Sequence, residues 1–164
     1  DELSRVHWIH PPGCRVEVIQ FLHPKLRVRE LPERPRRVES LLVVSPFLDG
    51  GTVRKLSNWG GRDIPKTLLS TQTALSALAK QKNKPLRHYS DVLCMAYVEE
   101  DESLFIPFLD EDAESISDEA GEEHAGLHAK PILACHKKRA TLWLGSPNAT
   151  ERAWKRNYEI ICSL

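Results

Sequence analysis

A layered α/β domain is what this sequence predicts, on three observations. VESLLVVSPFL, residues 38–48, is an almost unbroken apolar run rich in branched residues, as a strand buried on both faces requires. Strand-like stretches then alternate with short helical ones towards the C-terminus, the pattern of a sheet flanked by helices. Hydrophobic content of 41% over 164 residues is enough for one core. No apolar run comes near the roughly 18 residues that a membrane-spanning helix needs.

The elements follow in order. RVEVIQFL (15–22) and KLRVREL (25–31) alternate apolar with polar residues, and PERPRR (32–37) breaks the chain with two prolines. Residues 1–37 therefore read as an N-terminal arm or linker, and 38–164 as the domain. Gly50 and Gly51 punctuate the first buried strand, and TVRKLSNW (52–59) starts a helix with Thr52 as its cap. IPKTLLST (64–71) reads as the second strand, TALSALAK (73–80) as a short helix that QKNKP ends, and DVLCMAYV (91–98) as a third buried strand. GLHAKPILAC (126–135) and ATLWLGS (140–146) pair as strands around the basic turn HKKR. ATERAW (149–154) gives a helical turn or two, and NYEIICSL (157–164) a final strand. A chain that opens at Asp1 and stops at Leu164 inside an apolar run reads as a piece of something longer.

The formal net charge of zero hides an asymmetry. Residues 99–123 hold 12 of the chain's 23 acids and no Lys or Arg, leaving 11 acids against 23 bases elsewhere. A body that basic attracts polyanions, of which nucleic acid is the commonest. The acidic stretch, with its apolar island LFIPFL, reads as a solvated insertion. The cysteines Cys14, Cys94, Cys135 and Cys162 form no CxxC pair, and three lie in strand-like runs, which suits reduced thiols in the cytoplasm. A zinc site from His124, His128, Cys135 and His136 is disfavoured, because adjacent residues on a strand face opposite ways. No metal or cofactor is expected.

Chemistry gathers in the last forty residues. His128 and Lys130, two apart on a strand, project from one face. Gly145-Ser146-Pro147-Asn148 turns into the helix at ATERAW, whose N-terminal N–H groups would seat a phosphate. Lys130, Ser146 and Asn148 would bind that phosphate, and His128 would attack phosphorus or protonate the leaving oxygen. His-x-Lys followed by Gly-Ser-x-Asn resembles the signature of the phospholipase D superfamily, in its bacterial nuclease-like branch. LLVVSPFLDGG resembles the first strand and turn of the same domain, so the likeness spans residues 38–164. The resemblance implies a mixed sheet flanked by helices, carrying one motif-bearing half of a site. It also implies metal-independent phosphodiester cleavage through a phosphohistidine, with Glu159 of NYEI holding the imidazole of His128.

This chain departs from the pattern in two ways. Cys135 stands where the family has an aspartate, and the gap to Gly145 is longer than usual; some branches, the tyrosyl-DNA phosphodiesterases among them, keep only His, Lys and Asn. The family's working site also needs two motifs, and one complete motif is present here. The partner is then a second copy in a homodimer, or a second motif-bearing half of a longer chain. His23-Pro24-Lys25 is read as a decoy, because no Gly-Ser-x-Asn follows it.

The expected substrate is nucleic acid, with no membrane association, and Lys155 and Arg156 are expected to touch its backbone. Lys137, Lys138 and Arg139 read as a solvated turn. Trp143 and Trp154 read as core, and Trp59 as a place where a base could stack. A sharper reading of residues 99–123 is that they mimic DNA over the cleft, so that deleting 110–123 raises nuclease activity. The competing classes are a phospholipid headgroup phosphodiesterase and a non-catalytic binding or scaffold half-domain.

Overall fold

A computed structural model of the chain describes residues 9, 12–22, 34–95 and 127–164. The readings made for KLRVREL, for His23-Pro24-Lys25, for His124 and for the acidic stretch lie outside them.

Seven strands form one mixed sheet in the order β1-β7-β6-β5-β2-β3-β4: β1 Val18–Leu22, β2 Ser40–Val44, β3 Lys66–Ser70, β4 Asp91–Cys94, β5 Ile132–His136, β6 Arg139–Gly145 and β7 Glu159–Ser163. The β2, β3 and β4 strands run parallel, and the two helices between them, α1 Gly50–Ser57 and α2 Gln72–Ala79, make the crossovers. From β2 outward through β5, β6, β7 and β1, every pairing is antiparallel. A third helix, α3 Glu151–Lys155, joins β6 to β7. The α/β expectation is met, and strand β1 from the stretch read as an arm extends the sheet at β7.

The core lies where the apolar run placed it. Val43 of β2 and Leu68 of β3 are wholly buried against Val53 and Leu56 of α1, three apart on one helix face. Burying each such Leu removes enough apolar surface to contribute about 1.5–3 kcal/mol. Trp59 packs edge-to-face on Trp143 with ring centroids 5.1 Å apart, and Trp154 is buried beside them in the same cluster. Trp143 and Trp154 are thus core residues, as expected. Trp59 is too, only 4% exposed, so it offers no surface for stacking a base.

Other readings need correction. The cap of α1 is Asp49, whose carboxylate accepts the Thr52 N–H at 2.7 Å, while Thr52 sits inside the first turn. Asp49 has two acceptor oxygens and lies one residue before the helix, which the threonine does not. The β4 strand is exposed at every position, and among the described residues it pairs with β3 alone. Finally, β5 begins at Ile132, after Pro131, so His128 and Lys130 precede the strand rather than lie on it. Proline has no N–H to give a ladder, which sets that boundary.

Candidate functional site

Strand directions gather the motif at one end of the sheet. The β2 strand finishes there at Val44, followed by Ser45; β6 finishes there at Gly145, followed by Ser146; β5 and β7 begin there. The β2–β5 register sets Val43 opposite Ile132, and the Val44 N–H donates to the Pro131 carbonyl at 3.0 Å. One step further along, Lys130 comes level with Ser45. In the β5–β6 register Ile132 faces Trp143, which brings the same lysine level with Gly145. This is also the end where the parallel strands finish, where open α/β sheets place ligands.

Ser45 ties the end of β2 to the Gly145–Asn148 turn. It is buried, accepts the Ala149 N–H at 2.9 Å, donates to the Phe47 carbonyl at 2.8 Å, and lies 3.5 Å from Asn148 Oδ1. The Asn148 amide nitrogen donates to no group among the described residues. The Asn148 backbone carbonyl accepts the Thr150 N–H at 2.7 Å, which closes the turn into α3. Lys130 is half-buried and its Nζ donates to the His128 carbonyl at 2.9 Å, leaving two of its three N–H bonds unassigned. His128 is exposed, and its ring makes no hydrogen bond among the described residues.

Glu159 and Ser146 are arranged differently from the expectation. The Ser146 hydroxyl donates to Glu159 Oε2 and accepts the Ile160 N–H at 3.1 Å, and Asn157 Nδ2 donates to Glu159 Oε1 at 3.1 Å. Both carboxylate oxygens are therefore engaged where the chain leaves β6 and enters β7, and among the described residues no bond joins Glu159 to His128. The serine hydroxyl proton is likewise directed at a carboxylate rather than outward.

The expected phosphate seat at α3 is filled by the protein. Asp49 Oδ2 accepts the Glu151 N–H, and Thr150 Oγ1 accepts the Ala153 N–H at 3.3 Å. A carboxylate already occupies the position where an anion would have docked. Lys155 is exposed on α3 and paired with Glu151 at 2.7 Å, and Arg156 is exposed at the helix end. Cys135 is half-buried in β5, opposite Ser40 and Ala140. Its neighbour His136 meets Glu39 at 3.2 Å, at the far end of the sheet from His128. Among the described residues no three His, Cys, Asp or Glu side chains form a metal-binding group, and no helix is long and apolar enough to cross a membrane.

Sequence reasoning missed Ser45 and Asp49. The signals were present, since Ser45 follows the apolar run directly and Asp49 stands three residues before Thr52, the spacing of a helix cap.

No protein-family model and no curated protein matches the chain. Solved structures similar to it include NucT from Helicobacter pylori, at 15% identity over 76% of this chain and 67% of that one, with a TM-score of 0.43. A mutant of yeast tyrosyl-DNA phosphodiesterase matches at 10% identity over 89% of this chain and 30% of that one, with a TM-score of 0.48. A further structure of the yeast enzyme gives 12%, 77%, 25% and 0.44 in the same order. The chain thus spans less than a third of the yeast enzyme. Likenesses of this degree carry no argument about site or activity, and those rest on the chain's own residues.

Proposed function

We propose that this chain is a motif-bearing half of a metal-independent phosphodiesterase that cleaves nucleic acid. The observation that carries the reading is that the strand registers bring the His128–Lys130 segment and the Gly145–Asn148 turn to one sheet end, where Ser45 at the end of β2 holds the turn. Lys130 Nζ and Asn148 Nδ2 would hold two oxygens of a phosphodiester. An imidazole nitrogen of His128 would attack phosphorus, forming a phosphohistidine as the P–O bond to the leaving group breaks. A histidine from a second motif would protonate the leaving oxygen, and water would then release the phosphate. The reciprocal assignment, with His128 as that acid, uses the same geometry. The second motif would come from a second copy or from a second half of a longer chain.

Glu159 acts in this reading as a positioning residue. It anchors Ser146, and through it the turn that presents Asn148. Lys155 and Arg156 would touch the nucleic-acid backbone from α3. The domain is 38–164, with 1–37 as an arm whose strand β1 adds to the β7 edge. The four free thiols support a cytoplasmic setting, where disulfides are rare.

The test is turnover of bis(p-nitrophenyl) phosphate and of a single-stranded oligonucleotide, in chelator, by wild type and by folded His128→Ala. The expected loss is at least about 100-fold, the lower scale of acid–base catalysis. Wild type inert on both substrates, or activity that survives the substitution, would defeat the proposal.

A further inference from the structure

Most of the positive charge among the described residues does not lie around the candidate site. Among the described residues, the sheet end carrying His128 holds Lys130, Arg152, Lys155 and Arg156 against Asp49, Glu151 and Glu159, which is close to neutral. The strand directions send the basic residues to the other end. Arg34 and Arg37 lead into β2 there, α1 finishes there just beyond Arg54, and the α1–β3 loop carries Arg62. The 3-10 turn Pro85–His88 before β4 brings Arg87, and the β5–β6 turn brings Lys138.

These segments are fastened to one another. The Tyr89 hydroxyl donates to the Val53 carbonyl at 2.9 Å, drawing the 3-10 turn onto α1 beside Arg54. The Ser90 N–H donates to the Lys66 carbonyl at 2.8 Å, and Lys66 Nζ donates to the Gly61 carbonyl at 2.7 Å, next to Arg62. Glu39 Oε2 accepts the Lys137 N–H at 2.8 Å, which holds the β5–β6 turn against the start of β2. Arg87, Arg54, Lys66 and Arg62 all act electrostatically on His88, and Arg34 acts on Lys66 against the opposing Asp63, so these five cations lie near one another. Among the described residues the acids at this end are Glu17, Glu39, Asp63 and Asp91, and Glu39 is already engaged by Lys137 and His136.

We infer that the sheet end opposite His128, bearing Arg34, Arg37, Arg54, Arg62, Arg87 and Lys138, is a second, non-catalytic surface that binds a nucleic-acid phosphate backbone. All six side chains are exposed. From β4 to β6 they follow the ends of five adjacent strands, a row about 19 Å long at ~4.8 Å per strand spacing. A row suits a linear polyanion: at ~3.4 Å per phosphate along one strand, it spans about six base pairs. Like charges held together at fixed spacing repel one another, and a polyanion relieves that repulsion while releasing its own counterions. The two ends are separated by the length of β2, about 17 Å at ~3.3 Å per residue, so binding here is separable from chemistry at His128. The inference rests on the nucleic-acid reading above, not on cleavage.

The experiment is fluorescence anisotropy with a labelled 20-base-pair duplex across a salt series. It compares wild type, the triple variant Arg37→Gln/Arg54→Gln/Lys138→Gln, and the double variant Arg62→Gln/Arg87→Gln, with folding checked by circular dichroism. The triple variant should bind at least tenfold more weakly at low salt, with the slope of log K against log salt reduced by about three. The double variant should lose about two from the slope. Turnover of bis(p-nitrophenyl) phosphate should be unchanged in both, and that readout alone reports on the proposed chemistry. Wild-type affinity in both folded variants overturns the surface. Binding of wild type to phosphatidylserine vesicles but not to the duplex overturns the choice of partner.

Discussion

Gly145 offers a direct test of how the site is built into the sheet. A Cβ added there would fall onto the Ile160 carbonyl oxygen and lie 2.7 Å from the Ile161 Cα, both backbone atoms of β7 that no rotamer change can move. Relief requires β6 and β7 to part by roughly 1 Å at this point. Overpacking of this kind costs about 1–3 kcal/mol. The same movement strains the Ser146 N–H bond to the Ile160 carbonyl, 2.9 Å, and the Ile160 N–H bond to Ser146 Oγ, 3.1 Å, each worth about 1 kcal/mol. Gly145→Ala should therefore destabilise the fold by about 2–4 kcal/mol, read by urea unfolding with an unchanged m-value. Gly61→Ala is the control, since nothing lies within 4 Å of a Cβ there and its cost should stay within ~0.5 kcal/mol. If Gly145→Ala unfolds within ~0.5 kcal/mol of wild type, then β6 and β7 do not approach as described, and the Ser146–Glu159 arrangement falls with them.

Two further outcomes are expected. Ser45→Ala strands the buried Ala149 N–H and frees the Phe47 carbonyl, so stability should fall by about 1–3 kcal/mol in chemical denaturation, with weaker binding of any phosphodiester held by Asn148. Burial pushes the Tyr89 phenol well above its ordinary value of 10.0, so it stays neutral in the fold while the unfolded chain ionises. Its contribution is therefore complete below pH 10 and declines by about 1.4 kcal/mol per unit above it. Tyr89→Phe should be less stable than wild type by about 1 kcal/mol at pH 8 through loss of the Val53 bond, and that gap should close as pH passes 10 in stability measurements.

The strands were legible because their apolar residues are local and dense. Leu41 to Val44 in VESLLVVSPFL announce a central strand by composition alone, and β2 is paired on both sides. What composition cannot give is neighbourhood. DVLC has the same apolar character, yet among the described residues it pairs with β3 alone, because a strand's position depends on where the other strands insert. Trp59 was misread for a related reason: flanking glycines suggest an open loop, but its partner Trp143 is 84 residues away in the chain. At the site, residue types and spacing marked His128, Lys130 and Asn148, whereas hydrogen-bond partners were out of reach. Glu159 could be named from NYEI, but its bond to Ser146 is set by the pairing of β6 with β7. The likeness of Gly145-Ser146-x-Asn148 to a phosphate-binding motif also concealed a plainer reason for its glycine, which is the approach of β7.

Asp49 lends one carboxylate to the opening turns of two helices: α1 through Thr52, and α3 through Glu151. The loops leaving β2 and β6 are therefore not free to rearrange independently. Any force that shifts the segment around Asn148 tugs on the start of α1, and through Val53 and Leu56 it reaches the centre of the molecule. A single acidic side chain thus makes the rim of the sheet mechanically continuous with its interior.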